Sequence, residues 1–153
     1  MTDLDLIISL QDLHVHLGRN HVLKGLTAEV QPGATGLLGP NGAGKSTLIR
    51  TILGFLKPSS GQAFIFGKNC SSQGAEARQR VGYMPEHEAL IPGLSAVAFV
   101  MYMGRLCGMP KDEAMQRAHM SLQYVGLGEA RYRPIESYST GMKQRIKLAQ
   151  ALV

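Results

Sequence analysis

The sequence predicts an α/β fold. Three observations carry that reading: apolar residues alternate with period two between Leu13 and Gln31, a glycine-rich segment from Gly39 to Thr47 joins a strand-like stretch to a helix-like one, and helical periodicity takes over from Glu86. Residues 1–85 are expected to form a β subdomain with a phosphate-binding core, 86–137 a helical subdomain, and 138–153 the start of a further helix, all parts of one incomplete domain spanning 1–153.

Leu13, Val15 and Leu17 alternate with His14 and His16, which predicts a strand with one buried face and its histidines toward solvent. Leu26, Ala28 and Val30 against Thr27, Glu29 and Gln31 predict a second strand antiparallel to the first, closed by a Pro32-Gly33 turn. A short strand from Ala34 to Leu38 is expected next. After the glycines, Leu48, Ile49, Ile52 and Leu53 recur at helical spacing until Gly54 and Pro58 stop the run. Ser59, Ser60 and Gly61 turn the chain into a strand over Gln62 to Phe66, and Arg78 to Met84 is expected to close a short helix into another strand. Helices follow near Leu94 to Leu106 and over Lys111 to Tyr124, where Ala114, Met115, Ala118, Leu122 and Val125 share a face and Gly126 is the stop. A last helix begins near Gly141, with Ile146, Leu148, Ala149 and Leu152 apolar. It is still running at Val153, where no cap or breaker marks a natural boundary.

Apolar residues make up 44% and charged residues 18% of the chain, a globular balance that excludes a disordered or fibrous protein. The net charge of +5 is scattered; its densest group, Lys143, Arg145 and Lys147, is expected to be a solvated basic face, and no nucleic-acid partner is expected. Cys70 and Cys107 form no metal or disulfide pattern and are expected to be reduced thiols of a cytosolic protein. The opening MTDLDLIISL carries acids where an export signal needs bases. Leu94 to Met103, the most apolar stretch, is far short of the roughly 20 residues that span a bilayer, so any membrane role comes through a partner.

GPNGAGKST, running Gly39, Pro40, Asn41, Gly42, Ala43, Gly44, Lys45, Ser46 and Thr47, matches the phosphate-loop pattern GxxxxGK[ST] between a predicted strand and a predicted helix. A loop poor in side chains lets backbone N–H groups from about Asn41 to Thr47 converge on phosphates at the positive end of a helix. Lys45 then reaches the β and γ phosphates of ATP, the Ser46 hydroxyl ligates Mg²⁺, and Thr47 bonds a phosphate oxygen. A dinucleotide fold would need GxGxxG, and the order here is GxxGxG followed by Lys.

A phosphate loop alone leaves kinases, GTPases, helicases and transport ATPases open. YSTGMKQR, from Tyr138 to Arg145, resembles the signature sequence of ATP-binding-cassette ATPases, with Ser139 and Gly141 at its most telling positions. VGYMPE, from Val81 to Glu86, stands between the two motifs where that family has its glutamine loop. Together the motifs cover most of the chain, and STGMKQR with the acidic VGYMPE looks most like exporter ATPases of the ABC-2 type.

The resemblance implies a P-loop NTPase of the ABC nucleotide-binding type, with an antiparallel β subdomain and a helical subdomain, incomplete at its C-terminus. It implies ATP and Mg²⁺ as cofactors, a second nucleotide-binding domain in a homodimer, and a transmembrane permease that holds the protein on the inner face of the cell membrane. Ser139, Thr140, Gly141 and Met142 would close on the γ-phosphate held by the second copy; the Ser139 hydroxyl, the Gly141 N–H and the dipole of the helix they start make a second anion site. Lys45 and Glu86 would be the catalytic residues of this stretch, and Ser46 and Glu86 the metal ligands.

The departures bear on function. Glu86 stands where the family usually has Gln, and a carboxylate can also meet Mg²⁺. Thr140 and Met142 replace the more usual Gly and Gln. Many members stack an aromatic on adenine from a position near Leu17; without it ATP binding would be weaker by about five- to a hundredfold, with Leu17 or His16 offsetting part. His87 and Glu88 do not complete a zinc motif, because HExxH would need His at Ile91. The acidic pair that ends an apolar strand after the family's signature helix would fall beyond Val153. The chain is therefore expected to bind MgATP weakly without turnover and to be poorly stable, with an unpaired sheet edge. Two other classes fit less well: a soluble cassette ATPase acting on ribosome or DNA, and a non-hydrolysing nucleotide-binding module.

Overall fold

The computed structural model describes residues 6–87 and 89–153, which form two compact units, the first running to Arg80 and the second from Val81. Strands β1 (Ile8–Leu17), β2 (Asn20–Val30), β3 (Ser60–Ile65) and β4 (Lys68–Asn69) make a sheet in the order β2-β1-β3-β4 in the first unit, every pair antiparallel. The expected opening hairpin is present: Gly18, at φ 60, and Arg19 form its two-residue turn, and Leu17 sits opposite Asn20. Leu10, Leu13 and Val15 are buried, as the alternation requires, with a slip at Gln11 and Asp12. The slip is a bulge. Asp12 takes φ 45, its N–H is bonded to Thr27 Oγ1 at 3.0 Å, and the backbone of Gly61 lies so near Asp12 O that a Cβ there would stand 2.1 Å from it.

Helix α1 (Lys45–Ile52) follows the glycines and buries Leu48 and Thr51; Gly54, at φ 73, ends it where expected. The short α2 (Gly74–Arg78) closes the unit. Two expected strands are not formed. Residues 34–40 are exposed and carry no ladder, with Leu38 94% exposed, because neither sheet edge, β2 or β4, takes them up. An apolar run becomes a strand only when a neighbour supplies its hydrogen bonds. The same holds for 79–84, which turns and then runs irregularly after α2.

The second unit packs α3 (Ala96–Leu106), α4 (Lys111–Tyr124) and α5 (Thr140–Leu152) around Phe99, Val100, Leu122 and Ile146. Leu94 to Met103 supplies core, as its composition indicates: Ala96, Val97, Phe99 and Val100 are buried. Ala114 and Ala118 are fully buried on α4, small enough to let helices approach closely. Asp112 and Glu113 favour its first turn, and Gly126, at φ 74, follows its last. Before α5 the 3-10 turn Ile135–Ser137 and buried Tyr138 are fastened by Tyr138 Oη donating to Ala130 O, and by Gly93 N–H donating to Glu136 Oε1. Main-chain amides, its own first and then that of Gly93, hold the Glu136 carboxyl below its usual range. The basic group on α5 is not the solvated face its charge implies: Arg145 is exposed, but Lys147 is 2% exposed, with its Nζ reaching the main-chain carbonyl of Glu86 at 3.3 Å.

Candidate functional site

The loop from Gly39 to Thr47 is shaped by its glycines. Gly42 and Gly44 take φ 83 and 92, and a Cβ on Gly44 would also meet Leu23 Cδ2 at 3.0 Å and Val22 Cγ1 at 3.2 Å, so this position needs glycine for backbone conformation and for space. Ala43 N–H donates to Pro40 O at 3.2 Å, which bends the loop back on itself. Lys45 Nζ donates to Gly39 O at 2.7 Å and to Pro40 O at 2.8 Å, closing the loop under its own ammonium.

At α1 the first intrahelical bond is Leu48 N–H to Gly44 O, so the amides of Lys45, Ser46 and Thr47 precede it. Gly44 offers no side-chain cap and the first turn has no acid. A helix start left open in this way favours an anion, and the exposed Ser46 hydroxyl stands beside it for a cation that the anion brings. Thr47 is buried, with its carbonyl accepting from Thr51 Oγ1 at 2.8 Å. A cavity of about 390 Å³ lies against the loop, bounded by Ala43, Gly44, Lys45 and the β2 stretch Val22 to Leu26.

The signature residues lie on the second unit. Ser139 takes extended φ and ψ, and its Oγ accepts from Met142 N–H at 3.3 Å; Thr140, Gly141 and Met142 form the first turn of α5. Ser139, Thr140 and Gly141 are exposed. Glu86 is exposed in an irregular stretch, with its main-chain carbonyl accepting from Lys147 Nζ at 3.3 Å. Glu88, considered with His87 for a metal motif, lies outside the described residues. Among the described residues no three His, Cys, Asp or Glu side chains are grouped to hold a metal.

Leu17 is 43% exposed at the end of β1. The rings near it are imidazoles: His16 stacks on His21 with centroids 4.0 Å apart, and His14 Nδ1 is 3.0 Å from His21 Nε2. His14 Nε2 is 3.2 Å from Asp12 Oδ1, and His16 Nδ1 is 3.2 Å from Ser59 Oγ. His16 is exposed as expected, whereas His14 is only half-exposed.

Residues 23–153 match the ABC transporter family. The chain belongs to that family. It is 40% identical over 137 residues to the linearmycin resistance ATP-binding protein LnrL of Bacillus subtilis (strain 168), covering 89% of this chain and 44% of that protein. It is 39% identical over 133 residues to the Nod factor export ATP-binding protein I of Azorhizobium caulinodans (86% and 42%) and 38% over 130 residues to the daunorubicin/doxorubicin resistance ATP-binding protein DrrA of Streptomyces peucetius (84% and 39%). Among solved structures it is similar to cbiO1 from Clostridium perfringens, part of the ABC transporter complex cbiONQ, with a TM-score of 0.85 and 30% identity over 97% of this chain and 61% of that one. The chain spans less than half the length of these curated relatives.

The fold is that of an ABC ATP-binding domain with its antiparallel sheet. No described helix of this ABC transporter chain is long and apolar enough to cross a membrane. Two features escape a reading by motif. The His16–His21 stack follows from the two-residue turn at Gly18-Arg19, which sets those residues opposite each other. The burial of Lys147 has no local signal, because its neighbours Lys143 and Arg145 belong to the same basic run.

Proposed function

We propose that this chain is the nucleotide-binding part of the ATPase subunit of an exporter of the ABC-2 type, and that it binds MgATP at Gly39–Thr47. The observation that carries the reading is the open start of α1, where the amides of Lys45, Ser46 and Thr47 precede the first intrahelical bond and Lys45 Nζ is held on the loop by Gly39 O. Lys45 would give up its carbonyl partners for the β and γ phosphates, and the Ser46 hydroxyl would hold Mg²⁺, which would supply charge neutralisation at the transferring phosphoryl group; the Glu86 carboxylate is proposed as a further ligand. Ser139 to Met142 of a second copy meets the γ-phosphate, so ATP is sandwiched in a homodimer whose closure moves a transmembrane permease on the cytoplasmic side. The relatives support the export direction: two are resistance ATP-binding proteins and one is a Nod factor export ATP-binding protein.

The 153 residues by themselves are proposed to bind without turnover, because of the carboxylates only Glu86 stands in a motif of the site, and a nucleophilic water needs a positioned base as well as a metal. Titration of the chain with a fluorescent ATP analogue, with and without Mg²⁺, tests the binding. Saturable binding that weakens about ten- to a hundredfold in Lys45→Ala supports it, and binding unaltered in that variant overturns it. Steady phosphate release that disappears in Lys45→Ala would overturn the absence of turnover.

A further inference from the structure

Lys147 is a cation where the packing wants none. It is 2% exposed on α5, among a core that includes Ile146 and Ala149. Burying an ammonium is costly unless its N–H groups find acceptors. One acceptor is the main-chain carbonyl of Glu86, 3.3 Å from Nζ. One turn further along α5, Gly82 lies so close to the helix that an added Cβ would stand 2.1 Å from Ala151 O and 3.2 Å from Ala151 Cβ. The irregular segment that carries Glu86 is therefore fastened to α5 at two places, through residues four apart on one helix face.

The fastening uses the main chain of Glu86 and leaves its side chain exposed. The same helix starts at Ser139, and Lys147 stands about 12 Å along its axis from that start. A helix is stiff over that length, so displacement of its capped end is delivered to the carbonyl that Lys147 holds.

We propose that Lys147 is a positioning residue: its buried ammonium, with the Gly82–Ala151 contact, ties the Glu86 segment to α5, so that the carboxylate's place is set by the helix whose start is Ser139. The assignment rests on the reading of Glu86 as a group that meets Mg²⁺. A residue that holds a metal ligand from behind alters metal affinity while leaving the phosphate-binding loop untouched. Lys147→Met removes the donor and keeps much of the apolar stem, Lys147→Arg restores a donor, and Gly82→Ala attacks the second contact without touching the charge.

The test is made in the full-length protein, with two readouts. Amide hydrogen exchange over residues 82–87 is expected to accelerate about tenfold in Lys147→Met and in Gly82→Ala, as local opening costs less once a tether is cut. The Mg²⁺ concentration that half-saturates ATP binding is expected to rise about tenfold in both variants, with Lys147→Arg recovering most of the loss and metal-free ATP affinity unchanged. Unchanged exchange in Lys147→Met overturns the proposal, and so does an equal fall in metal-free ATP affinity, which would mark general damage. If Lys147→Met does not fold, Gly82→Ala decides by the same criteria. Glu86→Ala separates the two readings: insensitivity to it in the Mg²⁺ titration defeats the role of Glu86, whereas sensitivity to it with Lys147→Met at wild-type values defeats only the tether.

Discussion

The imidazoles of His16 and His21 lie face to face across the β1–β2 hairpin, with centroids 4.0 Å apart and planes 11° from parallel. Loss of water around the ring, followed by the charges of His16, His14 and Lys24, lowers the proton affinity of His21 below its ordinary 6.5. A histidine whose folded value is depressed contributes stability that is complete above its unfolded value and is lost as pH falls below it, because the unfolded chain then binds the proton more readily. The melting temperature is expected to hold above pH 7 and to fall progressively below about pH 6.5. In His21→Asn the same scan should fall less steeply. An identical slope in wild type and variant would remove the stack as the cause.

Lys45 bonds two carbonyls of its own loop, at Gly39 and Pro40. Its removal takes away two charge-assisted bonds and the cation that phosphates would meet. ATP affinity in Lys45→Ala is expected to drop by about ten- to a hundredfold, the range set by hydrogen bonds to charged groups. Lys45→Arg should not restore it, because a planar fork does not replace a compact point charge at the back of a narrow loop. Equilibrium titration with ATP checks both variants.

Gly44→Ala meets two obstacles, a φ of 92 and contact with Leu23 and Val22. The backbone conformation alone costs about 1 to 3 kcal/mol for a residue other than glycine. The unfolding free energy from urea titration is expected to fall by at least that amount, and ATP binding to be lost as β2 is pushed from the loop. By contrast a Cβ on Gly18 meets nothing within 4 Å, so Gly18→Ala bears only the conformational strain and should keep ATP binding.

The phosphate-loop pattern is more legible in the sequence than the packing around it. A phosphate loop is defined by residue types at fixed spacing, so Gly44, Lys45 and Ser46 announce it without knowledge of any neighbour. Ser139 was equally plain, as a capping residue before a helical period. Leu37 and Leu38 misled because a strand exists only when another strand completes its ladder, which no pattern within 34–38 can reveal. Lys147 misled for a related reason: charge is a property of the residue, but burial is a property of what packs on it, here the Glu86 segment from far earlier in the chain.

Ser139 holds two roles that one substitution can separate. Its Oγ caps α5 through Met142 N–H, and in the proposed dimer the same exposed helix start meets a γ-phosphate. At 3.3 Å the cap is a long bond, so Ser139→Ala is expected to cost only about 0.5 to 1 kcal/mol, the lower part of the range for N-caps. Ser139→Asp should cost nothing, since a carboxylate caps as well as a hydroxyl and suits the positive end of the helix. That same carboxylate would repel the γ-phosphate, so ATP-dependent dimerisation of the full-length protein, followed by light scattering, should be lost in Ser139→Asp while its melting temperature stays at or above that of wild type. Dimerisation that survives Ser139→Asp would leave the residue as a cap and nothing more.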